Sequence, residues 1–288
     1  MAEARIAVIG GSGVYQMEAL RDVTEVKIAT PFGDPSDSIM IGTLAGVRIA
    51  FLPRHGRGHR IMPTEVNSRA NIWALKSLGV ERIISISACG SMKEQYAPRD
   101  VVIPDQIYDQ TKARRPYTFF GQGLVAHISF DEPYCPELSQ LVYEAVKKTG
   151  ATVHKGGTFL TIEGPRFSTK GESRIYRQWG VDIIGMTAVP EAQLAREAEI
   201  CYCTMAHVTD YDVWHETAVP VTVSMLIENL LANAALTKRA IEYLAPTILA
   251  ERHCACATAL STAIITQKDV VPEKVKQELG IIVGRYLE

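Results

Sequence analysis

Thr158-Phe159-Leu160-Thr161-Ile162-Glu163-Gly164-Pro165-Arg166-Phe167-Ser168-Thr169 sets the pattern of this chain. An apolar run with strand character ends at Ile162, and Gly164-Pro165 turns the backbone. Ser168 is placed to cap a helix that runs to Trp179 and stops at Gly180. A second apolar run follows over 181–185. The unit is therefore strand, turn, helix, strand. The turn itself carries a cation, an aromatic face and two hydroxyls. Arg166 offers a planar fork of donors and Phe167 a flat surface, which together suit a planar heterocycle. A plain strand-to-helix turn with a surface arginine is the competing reading.

The same alternation extends in both directions. A strand over 6–9 runs into Gly10-Gly11-Ser12-Gly13. Strands over 39–44 and 47–52 form a hairpin about Ala45-Gly46. A helix over 64–78 is closed by Gly79, and strands follow over 82–87 and 100–107. A helix over 138–149 ends at Gly150, another covers 190–199, and a buried strand covers 200–208. From Val221 the period changes: Met225, Leu226, Leu230, Ala234, Ile241 and Leu244 recur at helical spacing, with further helices over 247–265 and 273–286. The expected fold is α/β, a single domain over 1–288. Its mixed, largely parallel β-sheet is flanked by helices on both faces, with a helical portion from about 221. No linker or low-complexity tract divides the 288 residues, 47% of them hydrophobic.

Formal net charge is −2 and Lys and Arg are dispersed, so neither a nucleic-acid nor a membrane partner is expected. The start lacks the long apolar region of a signal peptide and no apolar run spans a bilayer, so a cytoplasmic location is expected. The six cysteines are Cys89, Cys135, Cys201, Cys203, Cys254 and Cys256. Buried thiols are the first reading, and disulfides the second if the source is a hyperthermophile. Cys201-x-Cys203, Cys254-x-Cys256 and His253 lack the usual zinc spacing, so no metal is expected.

In open α/β sheets ligands bind where strands end. Gly10-Gly11-Ser12-Gly13 can turn backbone N–H groups toward an anion, but Gln16 stands where a dinucleotide fingerprint needs glycine, and no P-loop lysine follows. Arg54-His55 at a strand end can grip phosphate oxygens, Arg54 by a bidentate fork and His55 by a single donor. Ser87-Ala88-Cys89-Gly90-Ser91 is another small-residue turn, in which Cys89 has no local base and reads as a buried thiol. Met186 and Thr187 offer a soft apolar surface and a hydroxyl. Asp210 and Asp212 share a side if the chain stays extended, and mutual repulsion would then raise one pKa and keep a proton for a leaving group. The alternative for that pair is an Asx-type turn.

Taken in order, Gly10–Gly13, Thr30-Pro31-Phe32-Gly33, Arg54-His55-Gly56, Asn71-Ile72-Trp73-Ala74-Leu75, Ala88-Cys89-Gly90-Ser91, 161–168 and 209–212 make the chain resemble the trimeric branch of the purine nucleoside phosphorylase family. Within that branch the resemblance is to members acting on methylthioadenosine, and it covers about 6–244. It implies a homotrimer and phosphorolysis to adenine and 5-methylthioribose 1-phosphate, with phosphate as co-substrate and no cofactor. By the family pattern, Ser12, Arg54, His55, Ser87, Ala88 and Thr187 hold phosphate, and Met186 lies against the ribose. Phe167 and Ser168 line the base pocket, and Asp210 and Asp212 face the purine N7 and 6-amino edge as catalytic groups. Val223, Leu226 and Ile227 surround the methylthio group, and His127 is lent by a neighbouring subunit. Competing readings are a purine nucleoside phosphorylase of broader range and, from another class, a non-catalytic nucleotide-binding module.

Overall fold

The apolar runs pair into one eleven-stranded mixed sheet among the residues that the computed structural model describes. These are 3–11, 14, 17–112, 115–215, 223–248 and 251–288, with backbone alone over 223–231. The strands are β1 (Ile6–Gly10), β2 (Arg21–Val26), β3 (Ile39–Leu44), β4 (Val47–Pro53), β5 (Arg82–Ser91), β6 (Val101–Ile103), β7 (Gln106–Gln110), β8 (Val153–Lys155), β9 (Thr158–Ile162), β10 (Ile183–Gly185) and β11 (Cys201–Asp210). The helices are α1 (Ser68–Ser77), α2 (Pro136–Lys148), α3 (Lys170–Gln178), α4 (Ala188–Glu197), α5 (Val223–Leu244) and α6 (Glu273–Leu287).

β1 lies between β4 and β5, parallel to both, and every one of its residues is buried. This is why it reads as a continuous apolar run. Its side chains alternate: Ile6 and Val8 join a core with Leu138 and Val142 of α2 and Ile241 of α5. Ala7 and Ile9 face a second core with Ile72 of α1, Leu194 of α4 and Leu279 of α6. Both faces of the sheet are thus covered by helices, as the alternating pattern requires.

β5 is the branch point. β1 and β11 flank its first half in parallel, while β10 pairs antiparallel with its end at Gly90 and Ser91. The ends of β1, β4, β5, β10 and β11 therefore converge, and Arg54, His55, Ser87, Ala88, Met186, Thr187, Asp210 and Asp212 sit on or just after them. The hairpin of β3 and β4 turns at Ala45 and Gly46, both with positive φ.

Several expectations change. The strand expected over 100–107 is two strands, because Pro104 between them has no N–H to give a ladder. The helix expected from 64 begins at Ser68, capped by the Asn67 side chain. α3 is capped by Thr169, not Ser168. The helix expected over 247–265 is instead a pair of short 3-10 turns and irregular chain among the described residues. Tertiary contacts hold that segment: Arg252 Nη1 donates to the carbonyls of Glu81 (3.2 Å) and Glu199 (3.0 Å). β2 has no apolar period, being exposed over most of its length, and β8 is three residues long; neither announces itself in the sequence. No described helix is long and apolar enough to cross a membrane.

Candidate active site

Pairing of β1 with β4 sets Gly10 opposite Pro53, and the Arg54 N–H donates to the Gly10 carbonyl at 3.0 Å. Gly10 and Arg54 thereby become neighbours. Ser12 lies outside the described residues. Arg54 is 3% exposed, and its bidentate fork is engaged by Glu191 of α4: Nε donates to Oε1, and Nη2 to Oε2 at 2.9 Å. Nη2 also donates to Ser85 Oγ (2.6 Å) and Nη1 to the Ile86 carbonyl (2.8 Å). Tyr202 donates its hydroxyl to Glu191 Oε2 at 3.0 Å. The fork expected to meet phosphate is therefore spent inside the protein, and among the described residues nothing takes the second Nη1 hydrogen.

His55 differs from expectation too. Its Nδ1 lies 2.9 Å from the Ile61 carbonyl, which can only accept, so Nδ1 carries the proton. Burial, and then the charge of Arg54, push its pKa down to about 4. At neutral pH Nε2 is a lone pair, an acceptor where a donor was expected. Thr187 Oγ1 and Ser87 Oγ are 2.8 Å apart, joining the end of β5 to the start of α4, and Ala88 beside them is exposed. Arg54, His55, Met186 and Thr187 line a small, partly open cavity.

Arg115, which no motif marked, forms one wall of this cavity. It is 5% exposed. Its Nη1 donates to the carbonyls of Met186 (2.7 Å) and Val189 (2.8 Å), its Nη2 to that of Glu163 (2.7 Å), and its Nε to Glu163 Oε1 (3.1 Å). It clamps the loop after β9 to the loop after β10. In the former loop Gly164 has φ +70°, and a Cβ there would stand 2.5 Å from Met186 Sδ. Met186 is thus seated on a glycine that L side chains disfavour.

At the end of β11 the chain does not stay extended. Asp212 has φ +51°, and its N–H donates to Asp210 Oδ1 at 2.7 Å. The two carboxyls are brought together by an Asx turn, so the turn that competed with the acidic-pair reading is what builds the pair. Thr209 donates to Asp210 Oδ2 at 2.7 Å, and its oxygen is also 3.2 Å from the Cys89 carbonyl. If that hydroxyl turns to Cys89, its oxygen can accept from a protonated Asp210, so both states of the acid are accommodated. Gly90 leaves room for the pair, since a Cβ there would meet Asp210 Oδ1 at 3.1 Å and Asp212 Cβ at 3.4 Å.

Burial raises the pKa of Asp210, although Thr209 and the Asp212 amide favour its charge. Burial also raises Asp212, against the hydroxyls of Ser173 and Ser168 and with the help of the Asp210 charge. Ser168 Oγ and Asp212 Oδ2 are nevertheless both buried without a partner at hydrogen-bond geometry. Two such atoms, one in the loop after β9 and one in the turn after β11, mark a place for a polar ligand edge. Trp214 secures the turn by donating Nε1–H to the Ser91 carbonyl at 2.7 Å, with the Arg177 guanidinium 3.5 Å over its ring. Cys89 is buried and its pKa is raised by burial, which suits an inert thiol.

Phe167 is 59% exposed, an apolar ring open to cover by a ligand. Arg166 points elsewhere, with both Nη atoms on Glu172 at 2.7 Å. The side chains of Val223, Leu226 and Ile227 lie outside the described residues. His127 is exposed, and its N–H is held by the Ala263 carbonyl at 2.9 Å.

A family model described as the phosphorylase superfamily matches residues 5–245. An S-methyl-5′-thioadenosine phosphorylase of Geobacter sulfurreducens is 54% identical over 99% of this chain and 100% of its own. One of Gloeobacter violaceus is 56% identical over 99% and 96%. A solved methylthioadenosine phosphorylase from an antarctic soil metagenomic library superposes with a TM-score of 0.94 at 47% identity, covering 98% of this chain and 99% of that one.

Proposed function

The chain belongs to the phosphorylase superfamily, and on that premise we propose that it cleaves S-methyl-5′-thioadenosine with inorganic phosphate, giving adenine and 5-methylthioribose 1-phosphate. The observation that carries the mechanism is the buried Asp210–Asp212 pair at the end of β11, with its raised pKa values and the unpartnered Asp212 Oδ2. Breaking an N-glycosidic bond builds positive charge on the sugar and negative charge on the purine. A protonated Asp210 donates toward N7 as that charge develops, a contribution of about 10²–10⁴-fold for positioned acids. Asp212 Oδ2 and Ser168 Oγ then meet the 6-amino edge, and Phe167 stacks on the ring.

Phosphate occupies the cavity beside Arg54, His55 and Thr187, where it stabilises the sugar cation and attacks it. The pinned tautomer of His55 refines this picture. Its Nε2 accepts from the O–H of monohydrogen phosphate, while the second Nη1 hydrogen of Arg54 and the Ser87 and Thr187 hydroxyls serve the charged oxygens. Met186 packs against the ribose, and Ser12, Ala88, Val223, Leu226 and Ile227 complete the phosphate and methylthio pockets. The working assembly in this reading is a homotrimer in which His127 reaches a neighbour's site, in keeping with its exposure.

Adenine release from methylthioadenosine, measured with and without inorganic phosphate, tests the proposal. Strict phosphate dependence is the expected result. Release without phosphate would make the enzyme a hydrolase, and cleavage of 6-oxopurine nucleosides alone would overturn the reading of the acidic pair.

A further inference from the structure

Four of the six cysteines come together at the end of the sheet remote from the candidate active site. Their sulfurs, from Cys135, Cys201, Cys254 and Cys256, all lie within 4.8 Å of one another, and three of the four residues are buried. They come from three separate parts of the chain. Cys135 precedes α2 as its N-cap, with no side-chain capping bond, and its N–H donates to the Tyr202 carbonyl at 2.8 Å. Cys201 opens β11. Cys254 and Cys256 lie at a 3-10 turn of the C-terminal segment, with Cys254 extended. Spacing alone displays two Cys-x-Cys pairs; the fold takes both members of one, Cys201 from the other, and adds Cys135.

We propose that these four thiolates bind one zinc ion in a closed tetrahedral site that anchors the C-terminal segment to the sheet. Mutual approach of all four sulfurs is what one shared centre requires; two separate bridges would need only pairwise approach. Tetrahedral arms of about 2.3 Å set sulfurs about 3.8 Å apart, within the observed spread. A multi-iron cluster needs its cysteines spread more widely, so a single ion fits better. Four sulfur ligands in tetrahedral array are also the soft set that favours zinc over oxygen-seeking cations.

The surroundings suit the charge such a site would carry. Arg252 Nη1 is 4.0 Å from Cys201 Sγ. Cys135 sits where the positive end of the α2 dipole lies. Binding would displace the four thiol protons to solvent and requires no oxidant. The role is structural. Cys201 and Asp210 are the first and last residues of β11, about 30 Å apart at strand rise, and four protein ligands leave no open position for substrate.

The test uses the full chain, purified under reducing conditions without chelator, with metal content read by mass spectrometry. The expected result is about one zinc per chain, with cobalt replacement giving thiolate-to-metal charge-transfer bands and a tetrahedral d–d spectrum. The double variant Cys254→Ser/Cys256→Ser should lose the metal and melt at lower temperature while retaining phosphorolysis. Cys203→Ala, on the same strand, should keep the metal. The proposal is overturned if the reduced protein stays metal-free in excess zinc, or if the intact mass of protein isolated without reductant shows these cysteines as disulfides.

Discussion

Asp210, Glu191 and Glu197 are carboxyls withdrawn from water, and their partners give them different fates. Glu191 faces a guanidinium; removing its charge as Glu191→Gln leaves Arg54 buried and uncompensated. That variant should lose about 3–5 kcal/mol of stability in urea unfolding and bind phosphate more weakly, which phosphate KM will read. Asp210 has no cation beside it among the described residues, and burial raises its pKa. As the proposed acid it is active when protonated. Activity should therefore fall as pH rises through its raised pKa, and Asp210→Asn should lose about 10²–10⁴-fold in adenine release together with that basic limb. Glu197 accepts from the Phe119 N–H (2.8 Å) and the Thr118 hydroxyl (2.7 Å), yet burial raises its pKa from 4.5 to about 7. A folded-state pKa above the unfolded one gives stability that is complete below about 4.5 and lost as pH climbs to about 7. Glu197→Gln, which keeps an acceptor for Phe119 and offers a donor to Thr118, should flatten that dependence. At pH 8 it should be more stable than the wild type by on the order of 3 kcal/mol, measured by denaturant titration.

α3 shows how a helix start serves the site beside it. Thr169 accepts from the Glu172 N–H (3.1 Å), and Glu172 returns to the Thr169 N–H (2.7 Å), a complete capping box directly after Phe167 and Ser168. Thr169→Ala should cost about 1 kcal/mol and raise KM for the nucleoside more than it lowers kcat, because it frees the base pocket without touching the acid. Much of this element was legible in advance: an apolar run, a Gly-Pro turn and a hydroxyl-rich start are local signals. The identity of the cap, one residue further on, was not, because Ser168 and Thr169 both qualify by type and only the backbone path distinguishes them. The same limit explains the segment after α5. Its helical periodicity over 247–265 yields to anchors on Glu81 and Glu199, tertiary contacts of a kind that override weak propensity.

For the molecule as a whole, the proposed trimer implies an interface on this chain. Light scattering should give three times the 31.7 kDa of one chain. His127→Ala should raise KM for methylthioadenosine in an intact trimer; a monomeric protein with full activity would remove His127 from the site.

Reading along the chain recovered what adjacent residues can specify. Alternating strands and helices gave the α/β class, and punctuated strand ends located the loops that gather at one end of the sheet. It could not say what those residues would meet there. Glu191 takes the fork of Arg54 across 137 positions, and Arg115 ties Glu163 to Met186 with no motif around it. His55 becomes an acceptor only because the Ile61 carbonyl holds its other nitrogen. The four sulfurs meet because β11, the start of α2 and the C-terminal segment converge. Periodicity and turn chemistry act over a few bonds and leave a trace in the order of residues. Hydrogen bonding, desolvation and metal ligation depend on distances in space, which exist only once the sheet has closed.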